Sequence, residues 1–437
     1  MEKKKANAAA LLPILVFLVL YLGSGIYFEY INPVEGGMGF YIMSVVVSFV
    51  IALIVAMLQS KHLTFDEKIH ICAQGIGDDN ITIMIFIFLV AGAFSGIASA
   101  SGGASSTAYM LLSIIPVRFA IPGIFIISCL ISMAMGTSCG TITVLAPIAL
   151  AISASTGLNL PLCIGTVVGG AMFGDNLSFV SDTTIAATKT QGVAMQDKFR
   201  ANFKIALPAA IVTLIILIVL SMKSGVATFE VEDFNVLQTL PYFAVLIAAI
   251  AGMNVFVALC GGVVLFFIIG LITGSLTVAT AFSAMGDGTT GMFETLVVAL
   301  LVAAIAALIK ENGGIEAILN FIKKNFHGTR GGMFGVGLLV LLMDIATANN
   351  TVAIVIAAPI AKDVSKDYGI EPKQTASLLD TFSCIGQGLI PYGAQLLIAA
   401  GVAGISTMTI MPFLFYQFAL LVAVCVSIIL YKEKKDN

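Results

Sequence analysis

Two aspartates, Asp175 and Asp182, stand in the stretch GGAMFGDNLSFVSDTTIAATKT (169–190), among Asn176, Ser178, Ser181, Thr183 and Thr184. Apolar runs over 160–173 and 205–220 flank them. Carboxylates at membrane depth are costly, and as a rule they face a cavity or an ion path. Gly174 and the dense hydroxyl and amide side chains predict a helix broken in mid-membrane. Such a break frees carbonyls and side-chain oxygens to coordinate a small cation. Cation binding is the chemistry expected here.

Composition sets the surroundings. Of 437 residues, 59% are hydrophobic and 10% charged, with a mean hydropathy of +1.06. Soluble domains carry about 25% charged residues, so the chain is read as a polytopic membrane protein. Seven scattered cysteines without a CxxC pair are read as buried free thiols, and the three histidines (62, 70, 327) lie in charged connectors. A zinc site inside the membrane is not expected. With no tryptophan, any aromatic belt must come from Tyr and Phe. The opening MEKKK and the apolar run after it read as a retained first span, the run being too long for a signal peptide.

Apolar runs of about 17–25 residues qualify as spans. The first two are expected at 9–28 and 38–58, with an acidic, lysine-free connector outside. The connector at 59–80 carries Lys61 and Lys68 and is placed inside by the positive-inside rule. A span over 81–98 follows, then an interfacial helix. Two short apolar arms (120–135 and 142–153) joined by GTSCGT (136–141) predict a re-entrant hairpin whose tip lies inside the protein. The broken segment 160–190 ends in a basic connector (Lys189, Lys198, Arg200, Lys204), hence inside. Span 203–222 leads to an acidic connector (Glu230, Glu232, Asp233), and 239–275 holds apolar length for two spans turning near 252–254.

The second half repeats the first. Ser101-Gly102-Gly103 matches Asn312-Gly313-Gly314, Thr137…Thr141 matches Thr347…Thr351, Pro147 matches Pro359, Gly174 matches Gly386 and Leu177 matches Leu389, at offsets of 210–212 residues. The second repeat is expected to start from an outer connector at 276–292 that carries no Lys or Arg. Its helix 315–326 and the connector bearing Lys362, Lys366 and Lys373 lie inside. The halves then have opposite orientation, and paired broken helices in inverted repeats are the architecture of a secondary transporter.

The expected fold is thus an all-α polytopic membrane protein with about ten spans, two re-entrant hairpins and two broken helices. The expected organisation is N-terminal scaffold spans (1–80), a first repeat (81–222, hairpin 119–156, broken helix 160–190), linking spans (223–292) and a second repeat (293–437, hairpin 331–361, broken helix 376–400).

Four pieces are expected to meet near the midplane: the tip 136–141, the break 174–184, the tip DIATANNT (344–351) and the break 380–395. Coupling-ion candidates are Asp175, Asp182, Asn176, Ser178, Ser181, Thr183, Thr137, Ser138 and Thr141, with Na⁺ itself at Asp175, Asn176, Ser138 and Thr141. The second-half candidates are Asp344, Thr347, Asn349, Asn350, Thr351, Asp380 and Gln387. Plainer roles compete. The aspartates could serve caps or a structural polar network, tight turns alone favour Ser, Thr and Asn, and Gln387 could be interhelical glue.

At GTSCGT (136–141) with Pro147, and at FGDNLSFVSDTT (173–184), the chain resembles the NhaC-type Na⁺/H⁺ antiporter family of inverted-repeat carriers. The resemblance covers most of 80–430. It implies cation coupling and a bacterial inner (plasma) membrane, and the charge pattern places both termini in the cytoplasm. The family's relatives include carriers of organic acids and amino acids. The leading expectation is Na⁺ moved outward against H⁺, the two competing at buried aspartates under alternating access. The alternative is Na⁺- or H⁺-coupled transport of an amino acid or small carboxylate, with Asn349, Asn350 and Gln387 facing it. An aspartyl protease built on Asp175 and Asp380 is disfavoured by the inverted symmetry, and a serine protease lacks a base because no histidine lies in a span. The partners expected are an ion or small-molecule substrate and the bilayer, with no nucleic acid. No cofactor is expected beyond Na⁺ and H⁺ as cargo. Carriers of this architecture often pair through their outer spans, which makes a homodimer the assembly to test.

Overall fold

In lipid a backbone must satisfy its own polar groups, and a helix does so within one segment. Accordingly, in the computed structural model every regular element among the described residues (5–32, 42–178, 181–223, 233–251 and 253–431) is helical. The chain begins with α1 (Leu12–Ile26), α2 (Val45–Gln59), α3 (Phe65–Ile76) and α4 (Asp79–Ala100). Short α5 (Gly103–Ile114) leads to α6 (Ala120–Met135) and α7 (Ser138–Thr156). Then come α8 (Leu160–Leu177), α9 (Asp182–Gln191) and α10 (Met195–Lys223). A second series of similar order opens with α11 (Val236–Ile250), α12 (Val255–Thr273), α13 (Val278–Gly291) and α14 (Phe293–Glu311). It continues through α15 (Gly314–Asn325), α16 (Gly328–Thr347) and α17 (Asn350–Asp367). It ends with α18 (Pro372–Leu389), α19 (Ala394–Ala403), α20 (Thr407–Ile410) and α21 (Phe415–Ile429).

By length and composition, 10 of the described helical stretches can cross a membrane, or up to 11 if the pair bent by 53° at 407–413 and 415–429 is one span. The set differs from the sequence expectation. The helix arms at 117–135 and 138–156 qualify, whereas α2 and α11 are shorter apolar helices. Fifteen residues of helix rise about 22 Å, less than a hydrocarbon core of about 30 Å. Two expected connectors are helices. The 59–80 segment contains α3, opened by a Thr64–Glu67 capping box, and 276–292 contains α13. Of the glycines in 276–292, Gly288 serves packing, whereas Gly286 and Gly291 have nothing within 4 Å of an added Cβ. A Cβ on Gly288 would fall 2.1 Å from the Gly92 carbonyl oxygen, and one on Gly96 2.1 Å from that of Ala284. Bare backbone lets α13 lie directly on α4. The acidic pair Glu230 and Glu232, residues 33–41 and the charged residues after Tyr431 lie outside the described residues.

Both tips follow one chain path. α6 ends on Gly136 in the left-handed region (φ 71°), and Thr137 caps α7. α16 ends on Ala348, also left-handed (φ 50°), and Asn349 caps α17. Thr137 therefore pairs with Asn349, two residues on from the Thr347 that the sequence match selects. The breaks also agree: α8 gives way to an extended Ser178 and α18 to an extended Ile390. α8 is buried from Leu162 to its end, and α18 is buried from Thr375 to Gly388 despite Thr375, Ser377, Asp380, Ser383 and Gln387. These two broken helices form the centre, and small residues let neighbours close on them. A Cβ on Gly174 would overlap the Ser132 side chain at 2.1 Å, and one on Gly386 would meet Asp344 Oδ2 at 2.6 Å.

Candidate functional site

Asp175 occupies the last turn of α8, 5% exposed, where the helix is about to break. The first residue of α7 meets it. The Ser138 main-chain N–H donates to Oδ1 at 3.0 Å, and the Ser138 hydroxyl donates to Oδ2. The N–H is free to do so because the first turn of a helix leaves its donors without intrahelical partners, and that end of the helix favours negative charge. From the other half, Gln395 Nε2 donates to the Ser138 hydroxyl at 3.0 Å. Ser181 caps α9 by accepting from the Thr184 N–H at 3.3 Å, and its hydroxyl lies 3.2 Å from both the Asp175 carbonyl oxygen and Thr183 Oγ1.

A cavity of about 190 Å³ opens beside Asp175. Its walls are the tip 136–139, Ser181 to Thr183, the tip 348–351, Gln387 with Gln395, and one face of α4. Thus the four predicted pieces do meet. Asp175 and Asp182 both line it, and no lysine, arginine or histidine is among the described lining residues. Asp182, expected to be buried, is exposed at the first position of α9. Thr137, Ser138, Ser181, Thr183, Asn349, Asn350 and Thr351 reach the same space. Asn349 and Asn350 also serve the turn itself, accepting from the Val352 and Thr351 N–H groups at 3.0 and 2.9 Å. Thr347 bonds back to the Met343 carbonyl at 2.9 Å. With Asn349 it lines a second cavity of about 390 Å³, which Asp78, Lys310 and Glu311 also border.

Several predicted residues are turned elsewhere. Thr141 donates to the Thr137 carbonyl at 2.9 Å, within its own helix. The Asn176 amide oxygen faces Tyr416, whose hydroxyl donates to it at 3.3 Å. The carbonyl of buried Ser178 accepts from Thr184 Oγ1 at 2.9 Å. The predicted Na⁺ set therefore splits: Asp175 and Ser138 touch, whereas Thr141 and the Asn176 side chain are outside the cavity lining. Asp344 lies behind Gln387, whose amide nitrogen, in the orientation its neighbours require, donates to Oδ1 at 2.9 Å.

Asp380 does not face the cavity. Lys198, expected in a basic connector, is 1% exposed and pairs with Asp380 Oδ2 at 2.9 Å. Its ammonium also donates to the Asn176 carbonyl at 2.9 Å and to Thr184 Oγ1 at 2.7 Å. Asn202, one turn on, donates to the Asn176 carbonyl at 2.9 Å and to Asp380 Oδ2 at 2.7 Å. Sequence reasoning missed Lys198, Asn202, Gln395 and Tyr416. The signal for the first two was their spacing: 198 and 202 share a face with Ile205, Ala206 and Ala209, all buried. The free cysteines 72, 129, 163 and 384 are buried, as expected, whereas 139, 260 and 425 are half-buried.

The chain is 24% identical over 397 residues to the malate-2H⁺/Na⁺-lactate antiporter of Bacillus subtilis, covering 83% of this chain and 84% of that one. It is 20% identical over 369 residues (76% and 79%) to the Na⁺/H⁺ antiporter NhaC of Alkalihalophilus pseudofirmus. It is 21% identical over 336 residues (68% and 69%) to the arginine/ornithine antiporter ArcD of Halobacterium salinarum. The profile of the Na⁺/H⁺ antiporter family matches residues 2–222 and 233–431. With nearly its whole length so matched, this multi-pass membrane protein belongs to the Na⁺/H⁺ antiporter family and is a secondary antiporter, not an enzyme.

Proposed function

We propose that the protein exchanges Na⁺ for H⁺ at Asp175. The observation that carries the reading is the setting of this carboxylate. It is nearly buried, held by a helix N-terminus and a serine hydroxyl, and open to a small cavity whose other charged wall residue is Asp182. An anionic cavity with no basic residue among its described lining residues suits a cation. A carboxylate cargo would want a basic partner there, so the lining does not favour an organic acid.

The mechanism is competition. Asp175 holds a proton or a sodium ion, and loading one displaces the other. Hydroxyls of Ser181 and Thr183 and the amides of Gln387 and Gln395 lie on the same wall to complete an oxygen shell. Alternating access follows from an inverted arrangement of the two halves, which the shared path of tips and breaks supports. The setting proposed is a bacterial plasma membrane with both termini cytoplasmic and Na⁺ leaving as H⁺ enters.

Purified protein in liposomes with a trapped pH dye tests this. An imposed Na⁺ gradient is expected to drive a pH change that Asp175→Asn abolishes. Full activity in that variant, or no pH response in the unaltered protein, would overturn the reading. In the second case, labelled amino acids and carboxylates would be screened in the same vesicles.

A further inference from the structure

Lys198 carries an arrangement that Na⁺/H⁺ exchange at Asp175 does not use. An ammonium group has three N–H donors and accepts nothing. Here the three meet three oxygens: the Asn176 carbonyl at 2.9 Å, Thr184 Oγ1 at 2.7 Å and Asp380 Oδ2 at 2.9 Å. The carbonyl comes from the final turn of α8, where the break deprives it of a helical partner. One freed carbonyl, one hydroxyl and one carboxylate are the kinds of oxygen that gather around an alkali cation in a broken-helix carrier.

The surroundings are built for positive charge. Asn202 Nδ2 ties the same carbonyl to the same carboxylate at 2.9 and 2.7 Å, and Asn202 Oδ1 is buried with no partner among the described residues. Everything in the cluster is buried: Lys198 is 1% exposed, and Asp380 and Asn202 are 0%. The shell also joins the two broken helices, since Asn176 lies on α8 and Asp380 on α18. Lys198 itself belongs to α10, a separate element.

We propose that Lys198 is a tethered cation. Its ammonium permanently fills the cation position at Asp380, leaving one exchangeable site per chain, at Asp175. This rests on the reading of Asp175 as the cation site. A purely structural ion pair would have the same geometry but would not be replaceable by a free ion. Lys198→Ala removes the ammonium, keeps every oxygen of the shell and vacates room beside them. A sodium ion is expected to take its place.

The test counts bound sodium on the purified full chain with radioactive Na⁺, alongside thermal stability in Na⁺ and in a large organic cation as control. One Na⁺ is expected for the unaltered protein and two for Lys198→Ala. One is again expected for Lys198→Ala combined with Asp380→Asn, which lacks the charge to hold the second. Melting of Lys198→Ala is expected to rise with Na⁺ well beyond the rise in the unaltered protein. Two ions in the unaltered protein would overturn the proposal. So would one ion in Lys198→Ala, or a Lys198→Ala chain that stays unfolded in saturating Na⁺ while the double variant folds. If neither variant folds, the count on the unaltered protein decides between one and two. No bound Na⁺ in the unaltered protein would instead sink the reading of Asp175.

Discussion

Gln395 donates to the Ser138 hydroxyl at 3.0 Å, and that hydroxyl in turn donates to Asp175. A residue in the first turn of α19, beyond the second break, thus orients the serine that grips the aspartate of the first. Gln395→Leu removes the orienting bond and leaves the Ser138–Asp175 contact in place. A hydrogen bond of this kind contributes about 1 kcal/mol net. The half-saturating Na⁺ concentration is expected to rise roughly fivefold with the maximal rate little changed. Loss of the maximal rate with unchanged half-saturation would refute this assignment.

Ser138→Ala removes the hydroxyl but keeps the main-chain donor, which belongs to the backbone of α7. Hydrogen bonds to charged groups contribute about 1.5–3 kcal/mol. The variant is expected to exchange Na⁺ with an efficiency reduced by one to two orders of magnitude. Its residual activity distinguishes it from Asp175→Asn, which is expected to have none. Dye-reported exchange in liposomes at several Na⁺ concentrations measures both.

Asp182→Asn is expected to be the milder aspartate variant. Asp182 is exposed to the cavity, and as the first residue of α9 it also favours that helix N-terminus electrostatically. Such an interaction is worth about 0.3–1 kcal/mol. Activity within about fivefold of the unaltered protein is the expected result. A complete loss would mean that Asp182 shares the coupling role.

Gly174→Ala is expected to destabilise the whole carrier, because its Cβ would fall 2.1 Å from the Ser132 Cβ. Overpacking of this kind costs about 1–3 kcal/mol or more. Gly157, left-handed with nothing within 4 Å of an added Cβ, is the comparison. Gly157→Asn should be tolerated, since Asn adopts that conformation readily. The two melting temperatures measured in detergent decide it.

These expectations also mark what could be read from the amino acids. The break at Asp175 was legible because a carboxylate, an amide and several hydroxyls interrupt an otherwise apolar run, and nothing but a polar interior suits them. The first tip was legible as a polar joint between two apolar arms and the second through its match to the first, although the first pair of arms, at 19 residues each, is long enough to cross a membrane. α13 was not, because the charges and apolar runs mark 276–292 as a connector, and glycine and threonine in 278–291 are poor helix formers that give no contrary signal. Only the approach of α4 shows that bare backbone was wanted there. Lys198 was misplaced for a related reason. Lys198, Arg200 and Lys204 look alike in a charge count, yet a helix turns them to different sides, and one side was the core. The inversion of the halves likewise rests on charges, several of which flank elements whose helical course the charges alone did not reveal.

Lys198 and Asp380 together sum to zero charge. Carrying a net elementary charge through the full membrane potential involves about 2.3 kcal/mol per 100 mV, and a closed pair that moves as one body is exempt from that term. As long as α10 and α18 shift together, this pair is blind to voltage. On the exchange proposed above, the electrical response falls to the other carboxylates of the core, Asp175, Asp182 and Asp344 among them, and to the ion or protons they hold.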